Sequence, residues 1–466
     1  MSSKLAKYLP HFVFVAYTNL FPTALFAAVS VAEAEALKNG TLTPMGADPK
    51  GNEAGTIPAY SGKVLGAPAW VDYKGPGTHY PNMYPNEKPL FVVSSGNYKK
   101  YENNLSVGLI AMLNKYPNTF NMPIYTTHRD ARYSDIILAN TFANATRAKL
   151  ASNGNGTTDT FGGVPFPIPK NGLEVVFNHQ FSPLPYNNWG SYDEAAVQPS
   201  GNAIFGNTIR VEYFPVWDPA MTLERFNRDF SRLAALATVT TTEPARQKGE
   251  VILVHEYTNY DESSRRAWIY IPGTQRVRRA PSVGYDTPDG VGGLRTVDDH
   301  MLFNGATDRF DWKLLGKREV FIPYNNYAMD NPQIKYKQIL TPHHVNPQYM
   351  RYELHRVWVV EGTVKTGSRH IYAKRVLYLD EDSWAAALAD NYDGQGQLWR
   401  AAMRTTVNAY DLPGVMGRVA MFHDLTVGAY IVSQLINEQP VTPHIVKEIP
   451  AKSYFTPANL RQIGRG

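Results

Sequence analysis

Two segments of the chain carry apolar side chains on both alternations of an extended strand, and this pattern limits the fold more than any other feature. The segments are residues 266–271 and 370–379. Side chains alternate between the two faces of a strand, so a sheet built from these segments is apolar on both faces and must be covered on both. The sequence therefore predicts a sheet enclosed by other parts of the chain.

Aromatic residues of these and a neighbouring strand are the candidates for contact with an apolar ligand. They are Trp268, Tyr270, Trp358, Tyr372 and Tyr378. One covered face of the sheet can line a cavity for such a ligand, and an ordinary packed core is the alternative that the same pattern allows. With 29 Tyr, 20 Phe and 8 Trp against 19% charged residues, the composition also favours β structure.

Strand patterns dominate the chain after residue 249, and helical spacing is confined to shorter segments. Strands are predicted at 205–218, 250–257, 266–271, 318–322, 352–360, 370–379, 396–407 and 417–431. Helices are predicted at 97–114, 127–150, 171–179 and 221–238, with a short helix over 384–389. The predicted fold class is therefore α+β, a meander of antiparallel strands with a few helices.

The first thirty residues have the pattern of an export signal. Lys4 and Lys7 precede an apolar stretch, and small residues such as Ala28 and Ser30 can flank a cleavage site. A membrane anchor is the alternative, but the apolar run is shorter than the ~20 residues that span a bilayer. We therefore predict a cleaved signal peptide over residues 1–30 and a periplasmic protein that can associate with the outer membrane.

Glycine and proline interrupt the next part of the chain too often for long helices. Residues 31–95 are therefore predicted to form an extended arm, which either lies on the surface or gates a cleft. Residues 96–466 contain no clean linker and are predicted to form one enlarged domain with a helical N-terminal part.

Charge and cysteine content exclude several classes of protein. The net charge of +5 is small for 466 residues, so nucleic-acid binding is not expected. The chain has no cysteine, which excludes disulfides, thiolate metal sites and a lipidated N-terminal Cys. The sequence has no nucleophile elbow, Walker loop or dinucleotide motif. We therefore predict no catalytic residue, no metal and no cofactor.

One acidic neighbourhood leaves an enzyme open as an alternative. It comprises Asp286, Asp289, Asp298, Asp299 and His300. Two carboxylates about 5–10 Å apart around a cleft can serve as acid and base. The same cluster at 298–300 also fits a divalent-cation site or the N-terminal cap of a helix.

A basic run over 276–279 has two interpretations. In a strand, Arg276 and Arg278 share one face, where they can contact anionic lipid head groups or an acidic partner. Positive charge on an edge strand also prevents unwanted strand pairing, which is the structural alternative.

Several short motifs occur in order along the chain and together carry a family resemblance. They lie at 42–47, 161–170, 264–270, 275–281, 285–288, 353–360, 370–375 and 378–384. With these motifs the chain resembles an uncharacterised family of exported bacterial proteins, a domain of unknown function commonly described as outer-membrane lipoprotein-sorting-like. The resemblance covers most of the chain after the export signal.

The resemblance implies a fold like that of the LolA and LolB lipoprotein carriers. That fold is a large curved antiparallel sheet, an incomplete barrel, with helices closing a hollow that holds acyl chains. The family is similar to proteins encoded beside resistance–nodulation–division-type transporters and an outer-membrane partner. LolB-like proteins are anchored through a cysteine, which this chain lacks, so the resemblance implies a soluble shuttle.

The expected function is that of a periplasmic binding protein for a lipid or other apolar or acylated ligand. Such a protein acts as a carrier or accessory factor in outer-membrane lipid or lipoprotein trafficking. Two alternatives remain open at this point: an envelope hydrolase that uses the acidic neighbourhood, and a non-catalytic assembly factor for a transporter.

Overall fold

The computed structural model describes residues 29–280, 284–411 and 414–465. Most of the predicted signal peptide, residues 1–28, therefore lies outside the described residues. The last two residues of that prediction lie inside them. Val29 is buried beside Ala145, and Ser30 caps the first helix through a hydrogen bond from the backbone of Glu33.

Strands make up most of the regular secondary structure in the described chain. They are β1 (Phe91–Val93), β2 (Met122–Ile124), β3 (Lys149–Leu150), β4 (Thr157–Thr158), β5 (Asn187–Val197), β6 (Ala203–Tyr213), β7 (Leu233–Glu243), β8 (Val251–Tyr257), β9 (Arg266–Ile271), β10 (Arg276–Arg279), β11 (Pro288–Asp289), β12 (Arg295–Thr296), β13 (Phe310–Pro323), β14 (Tyr352–Val364), β15 (Lys374–Asp380), β16 (Ala386–Tyr392), β17 (Leu398–Ala409), β18 (Gly414–Asp424) and β19 (Tyr430–Leu435).

Fifteen of these strands form one large open sheet. Its order is β1-β2-β14-β15-β16-β17-β18-β19-β5-β6-β7-β8-β9-β10, and β13 pairs with β14. Neighbouring strands are antiparallel, except for one parallel contact between Tyr352 of β14 and Ile124 of β2. The predicted fold class, a large antiparallel sheet that does not close into a complete barrel, is confirmed.

Helices are few and short by comparison. They are α1 (Val31–Ala34), α2 (Val107–Lys115), α3 (Asp135–Arg147), α4 (Gly172–Gln180), α5 (Leu223–Phe230), α6 (Tyr336–Ile339) and α7 (Leu460–Ile463). Side-chain oxygens of Ser106, Asn171 and Thr222 accept hydrogen bonds from the first turns of α2, α4 and α5, which fixes where these helices begin. In the described part of the chain, no helix has the length and apolar character needed to cross a bilayer.

The central strands β14–β19 have buried apolar side chains on both faces, as their alternation predicts. One face packs beneath α2, whose Leu109 and Met112 are buried there. The other face packs against α4 and α5, through Val175 and Phe226. We call this second side the α4 face. Each such side chain contributes about 1.5–3 kcal/mol on burial, so both covering layers stabilise the sheet.

The N-terminal segment forms an extended arm that is packed onto the body. After α1 and one 3-10 turn, it contains no helix or strand until β1. Its Met45, Ile57 and Tyr80 are buried. The guanidinium of Arg129 donates to the backbone carbonyl oxygen of Asp48 at 2.8 Å, which ties the arm to the residues before α3.

Two predicted helices are wrong in part or in full. The helix predicted over 221–238 ends at Phe230, because Ser231 adopts the left-handed conformation, and the chain continues as β7. The β-branched residues of 238–242 favour this strand. The alanines of 385–387 do not form a helix either: Trp384 has φ 62°, and β16 begins at Ala386. Pairing with β15 and β17 outweighs the helix propensity of alanine here.

Candidate functional site

Five arginines extend from the strands onto the α4 face. They are Arg210 of β6, Arg375 of β15, Arg400 and Arg404 of β17, and Arg418 of β18. Arg400 and Arg404 lie two residues either side of Ala402, whose side chain belongs to the apolar core of this face. The last four arginines expose less than a tenth of their surface. Since burying an unpaired charge is costly, each of them requires a partner.

Three of the arginines have carboxylate partners. Arg375 pairs with Asp298 at 3.4 Å and Asp299 at 3.7 Å. Arg418 donates to Asp330 at 2.8 Å. Arg400 lies 3.7 Å from Asp424. These pairs neutralise charge within the core, so the acidic residues in them have a structural role.

The acidic neighbourhood that the sequence indicated is divided among such contacts. Asp298 accepts from His370 at 3.0 Å, and Asp299 accepts from the hydroxyl of Tyr372 at 2.9 Å. Burial opposes ionisation of Asp298, but Arg375 and His370 still hold its pKa below the usual value. Burial raises the pKa of Asp299. Both carboxylates are buried, so this pair is placed to hold the fold together.

The other members of that neighbourhood lie in separate contacts. Asp286 pairs with Arg309 at 3.2 Å, and Asp289 pairs with Arg295 at 2.9 Å. His300 belongs to a different set of residues, described next. The structure thus does not bring these carboxylates together around one cleft.

The two remaining arginines, Arg210 and Arg404, line a small cavity in the α4 face. Its volume is about 60 Å³, and it is partly open to solvent. We call it the arginine pocket. Its lining residues are Leu184, Pro185, Asn188, Tyr192, Arg210, Glu212, Phe214, His300, Met301, Arg404, Met416, Gly417, Arg418, Gln434 and Pro443. Neither Arg210 nor Arg404 forms an ion pair with any carboxylate of the described chain.

The pKa values of two residues, His300 and Arg404, reflect the positive potential of the arginine pocket. Burial and the neighbouring Arg210, Arg295 and Arg404 hold the pKa of His300 well below its usual value, so its imidazole is neutral near pH 7. Burial and the nearby Arg418 lower the pKa of Arg404 to about 10. Both effects indicate a site that favours negative charge.

The five aromatic candidates are divided among separate parts of the core. Trp268 and Tyr270 pack in a cluster around Leu236 and Phe455, at the β7–β9 end of the sheet. Trp358 stacks on Trp384 with ring centres 5.9 Å apart. Tyr378 donates to Asp390 at 3.1 Å in the α2-facing core, and Tyr372 is buried in the Arg400 network. The residues that line the arginine pocket include none of these five.

Arg276 and Arg278 lie on β10, which pairs with β9 and forms one edge of the large sheet. Both side chains are exposed. This location matches the protected-edge interpretation and also leaves both guanidinium groups accessible.

A second buried charge cluster lies beneath the arm. His355, Asp380 and Asp382 offer ligand atoms within 4.8 Å of one another. However, Arg129 donates to both carboxylate oxygens of Asp382, at 2.7 and 2.8 Å. An arginine therefore already supplies the positive charge that a metal ion would bring to this cluster.

Comparison with known proteins identifies the family. A family model described as "Protein of unknown function (DUF1329)" matches residues 92–461. The chain belongs to this family. The membership predicted from the short motifs is thereby confirmed. A relative of this DUF1329 protein, the uncharacterized protein PA3922 of Pseudomonas aeruginosa, is 40% identical over 452 residues, which are 96% of each chain.

Three crystal structures align with part of this DUF1329 chain at low identity. A DUF1329 family protein from Desulfovibrio piger is 15% identical, with a TM-score of 0.42 over 62% of this chain and 97% of its own. A domain named for outer-membrane lipoprotein sorting, from Vibrio parahaemolyticus, is 12% identical, with a TM-score of 0.42 over 62% and 98%. A LolA superfamily protein from Nitrosomonas europaea is 13% identical, with a TM-score of 0.37 over 62% and 98%.

Sequence reasoning missed the arginines of the pocket in this DUF1329 protein. The signal was present in β17, where Arg400 and Arg404 share an alternation with Ala402. An arginine at an alternate position of a strand that is otherwise apolar is placed in the core, where it needs a partner. Which arginine lacks one depends on contacts between residues that are far apart in the sequence, as Leu184 and Pro443 of the pocket lining are, and no local pattern contains such contacts.

Proposed function

We propose that this protein is a non-catalytic periplasmic binding protein for a lipid or other acylated ligand. It acts as a soluble carrier or accessory factor in outer-membrane lipid or lipoprotein trafficking. The observation that supports the proposal is the arginine pocket, because it joins charged and apolar groups in one partly open cavity. Leu184, Phe214 and Met416 are half-buried members of its lining, so apolar surface meets solvent at its border.

The size of the pocket limits what part of a ligand it can hold. A cavity of about 60 Å³ has room for a head group, and an acyl chain must extend along the apolar border. Each methylene that loses contact with water contributes about 0.8 kcal/mol. A few methylenes packed on Leu184, Phe214 and Met416 are therefore enough to favour an acylated ligand over a free head group.

The contacts of the acidic residues favour binding over hydrolysis. A pair of carboxylates that act as acid and base must face a common cleft about 5–10 Å wide. Asp286, Asp289 and Asp298 instead each pair with a different arginine, namely Arg309, Arg295 and Arg375. This arrangement supports the proposal of a protein without catalytic residues.

The proposed function is tested on protein purified from the periplasm in its mature form. We expect native mass spectrometry or lipid extraction to recover an acylated compound, and a fluorescent fatty-acid probe to bind and be displaced by it. The export step is tested in the same fractions, where the protein is expected among periplasmic proteins. Ligand-free protein together with no binding of the probe would contradict the proposal.

Two of the aromatic candidates and both basic candidates from the sequence keep a role in the proposed function. Trp268 and Trp358 are half-buried, so each retains surface for contact with an apolar ligand. Arg276 and Arg278 are proposed to contact anionic lipid head groups or an acidic partner surface. Replacing both by glutamate is expected to reduce co-sedimentation with vesicles that contain phosphatidylglycerol. Unchanged co-sedimentation would argue for the edge-protection role alone.

A second candidate function is docking onto a transporter through the arm. Trp70 and Leu90 of the arm are exposed to 67% and 64%, so both offer apolar surface to a partner. The proposed partners are a resistance–nodulation–division-type transporter and an outer-membrane protein. Because Met45, Ile57 and Tyr80 are core residues, the test replaces Trp70 and Leu90 by serine instead of deleting the arm. Loss of co-purification with those partners is expected.

A further inference from the structure

Arg404 has unused hydrogen-bonding capacity deep in the protein. Its side chain is 3% exposed, and its Nε atom has no hydrogen-bond partner among the described residues. The hydrogen bond that its guanidinium makes is from Nη2 to the carbonyl oxygen of Gly417, at 3.2 Å. A guanidinium has five N–H donors, so most of those on Arg404 remain free for a group in the arginine pocket.

Gly417 makes this position of Arg404 possible. The two residues lie on neighbouring strands, β17 and β18, and a β-carbon at 417 would overlap the guanidinium. The absence of a side chain at 417 therefore lets Arg404 lie close against the backbone of β18. An alanine there would move the guanidinium without removing its charge.

Arg210 presents a second guanidinium without a carboxylate. Its Nε atom is buried and finds no hydrogen-bond partner in the described part of the chain, and the group lies over the ring of Tyr192 at 4.8 Å. The one carboxylate in the lining, that of Glu212, accepts from Asn188 at 2.9 Å instead. Arg418 is already paired with Asp330. The pocket thus holds two uncompensated arginines against a single carboxylate.

We propose that the arginine pocket is an oxyanion site, in which Arg210 and Arg404 bind the phosphate or carboxylate group of the ligand. A planar guanidinium suits such groups because two of its N–H donors match two oxygens. The neutral imidazole of His300 and the ring of Tyr192 complete the lining. The inference rests on the proposed function for the presence of an acyl chain, and it adds the chemistry of the head group.

The test compares three probes on the full mature protein by isothermal titration calorimetry. They are dodecyl phosphate below its micelle concentration, inorganic phosphate, and dodecyl maltoside as a chain with a neutral head. We expect dodecyl phosphate to bind at least tenfold more tightly than either of the others. Inorganic phosphate that binds as tightly as dodecyl phosphate would identify a site for a free anion, which supports the oxyanion site and contradicts the carrier function.

Variants then assign the binding to the two arginines. Arg404→Met and Arg210→Met are each expected to weaken dodecyl phosphate binding at least tenfold while leaving dodecyl maltoside binding unchanged. Arg246→Met removes the same charge from an exposed turn, Ala245–Gln247, and is the control that should bind like the wild type. Circular dichroism checks that every variant is folded.

Gly417→Ala keeps the proposal testable if removal of an arginine disturbs the fold. It retains both charges but displaces Arg404, and we expect it to weaken dodecyl phosphate binding as well. Equal binding of dodecyl phosphate and dodecyl maltoside by the wild type, unchanged in all variants, would overturn the oxyanion site and leave the carrier function standing. Failure of all three probes to bind would overturn both.

Discussion

The indole nitrogen of Trp384 donates a hydrogen bond of 2.8 Å to the backbone carbonyl oxygen of Met45, and both residues are buried. This bond joins the N-terminal arm to the turn between β15 and β16, 339 positions along the chain. Trp384 also adopts φ 62°, a conformation that is rare outside glycine. A tertiary contact thus holds an unusual backbone at the point where the arm crosses the sheet.

Trp384→Phe is expected to destabilise the protein by about 1–3 kcal/mol, because the buried carbonyl of Met45 loses its donor. Urea unfolding measures the change, and limited proteolysis should show earlier cleavage within the arm. Trp70→Phe is the matched control, since its indole also donates to an arm carbonyl, that of Met83, but the residue is 67% exposed. Equal losses of unfolding free energy in both variants would mean that the buried hydrogen bond of Trp384 stabilises the protein no more than the exposed one of Trp70.

Tyr372→Phe is expected to cost about 1–3 kcal/mol of unfolding free energy. The hydroxyl of Tyr372 donates to Asp299 at 2.9 Å and accepts from Arg400 at 2.8 Å, and its removal leaves both charged groups short of a partner. Tyr270→Phe is the control, because Tyr270 is equally buried but packs mainly through its ring. It should change stability by less than about 0.5 kcal/mol. Fatty-acid probe binding should not change in either variant.

Asp390 makes the stability of the protein depend on pH. Burial raises its pKa from 3.8 to about 6, while Tyr378, Ser106 and the backbone of Gly108 donate to it. Since the folded-state pKa is the higher one, its stabilising contribution is complete below pH 3.8 and is lost as the pH rises through about 6.

Asp390→Asn removes this dependence because the amide stays neutral. We expect the variant to gain about 2–3 kcal/mol relative to the wild type between pH 4 and pH 7, which is the value of the pKa difference. Urea unfolding at a series of pH values measures the gain. A constant difference between the two proteins across this range would show that Asp390 does not titrate as described.

Arg404→Met is expected to raise the melting temperature of the ligand-free protein. The substitution replaces a buried guanidinium without a carboxylate by an apolar side chain of similar length. Arg418→Met provides the contrast, because it leaves Asp330 buried without its cation, and it should lower the melting temperature. Differential scanning calorimetry without ligand separates the two. A fall in both variants would imply that Arg404 has a partner in solution.

The sequence was sufficient to predict a large antiparallel sheet, but not the order in which its strands are paired. Alternation in 352–360 and 370–379 indicates strands, and the glycines between them indicate their hairpin, which exists as β14 and β15. The pairing of β19 with β5 joins residues more than 230 positions apart, and no local pattern encodes it. The segment 187–197 also lacks a clear strand alternation, because polar residues such as Asp193 and Glu194 interrupt it. In the fold these two carboxylates accept hydrogen bonds from distant partners, Tyr336 and Ser433.

The candidate site was less predictable than the fold. Aromatic side chains were chosen for their alternation, but alternation identifies only a face, and both faces of this sheet are filled. Tyr372 and Tyr378 face opposite layers despite their similar surroundings in the sequence. The arginine pocket depends on an imbalance of charge between strands β6, β17 and β18, which becomes visible only once every ion pair is known.

Strand β19 lies between β18 and β5, so a segment near the end of the chain holds two parts of the large sheet together. Within the described sheet, strands β5–β10 join strands β13–β18 only through this one late segment, Tyr430–Leu435. A product truncated before it would expose two long unpaired edges at once, and such edges recruit strands from other molecules. Premature termination or C-terminal proteolysis would therefore yield an aggregating species rather than a smaller working protein.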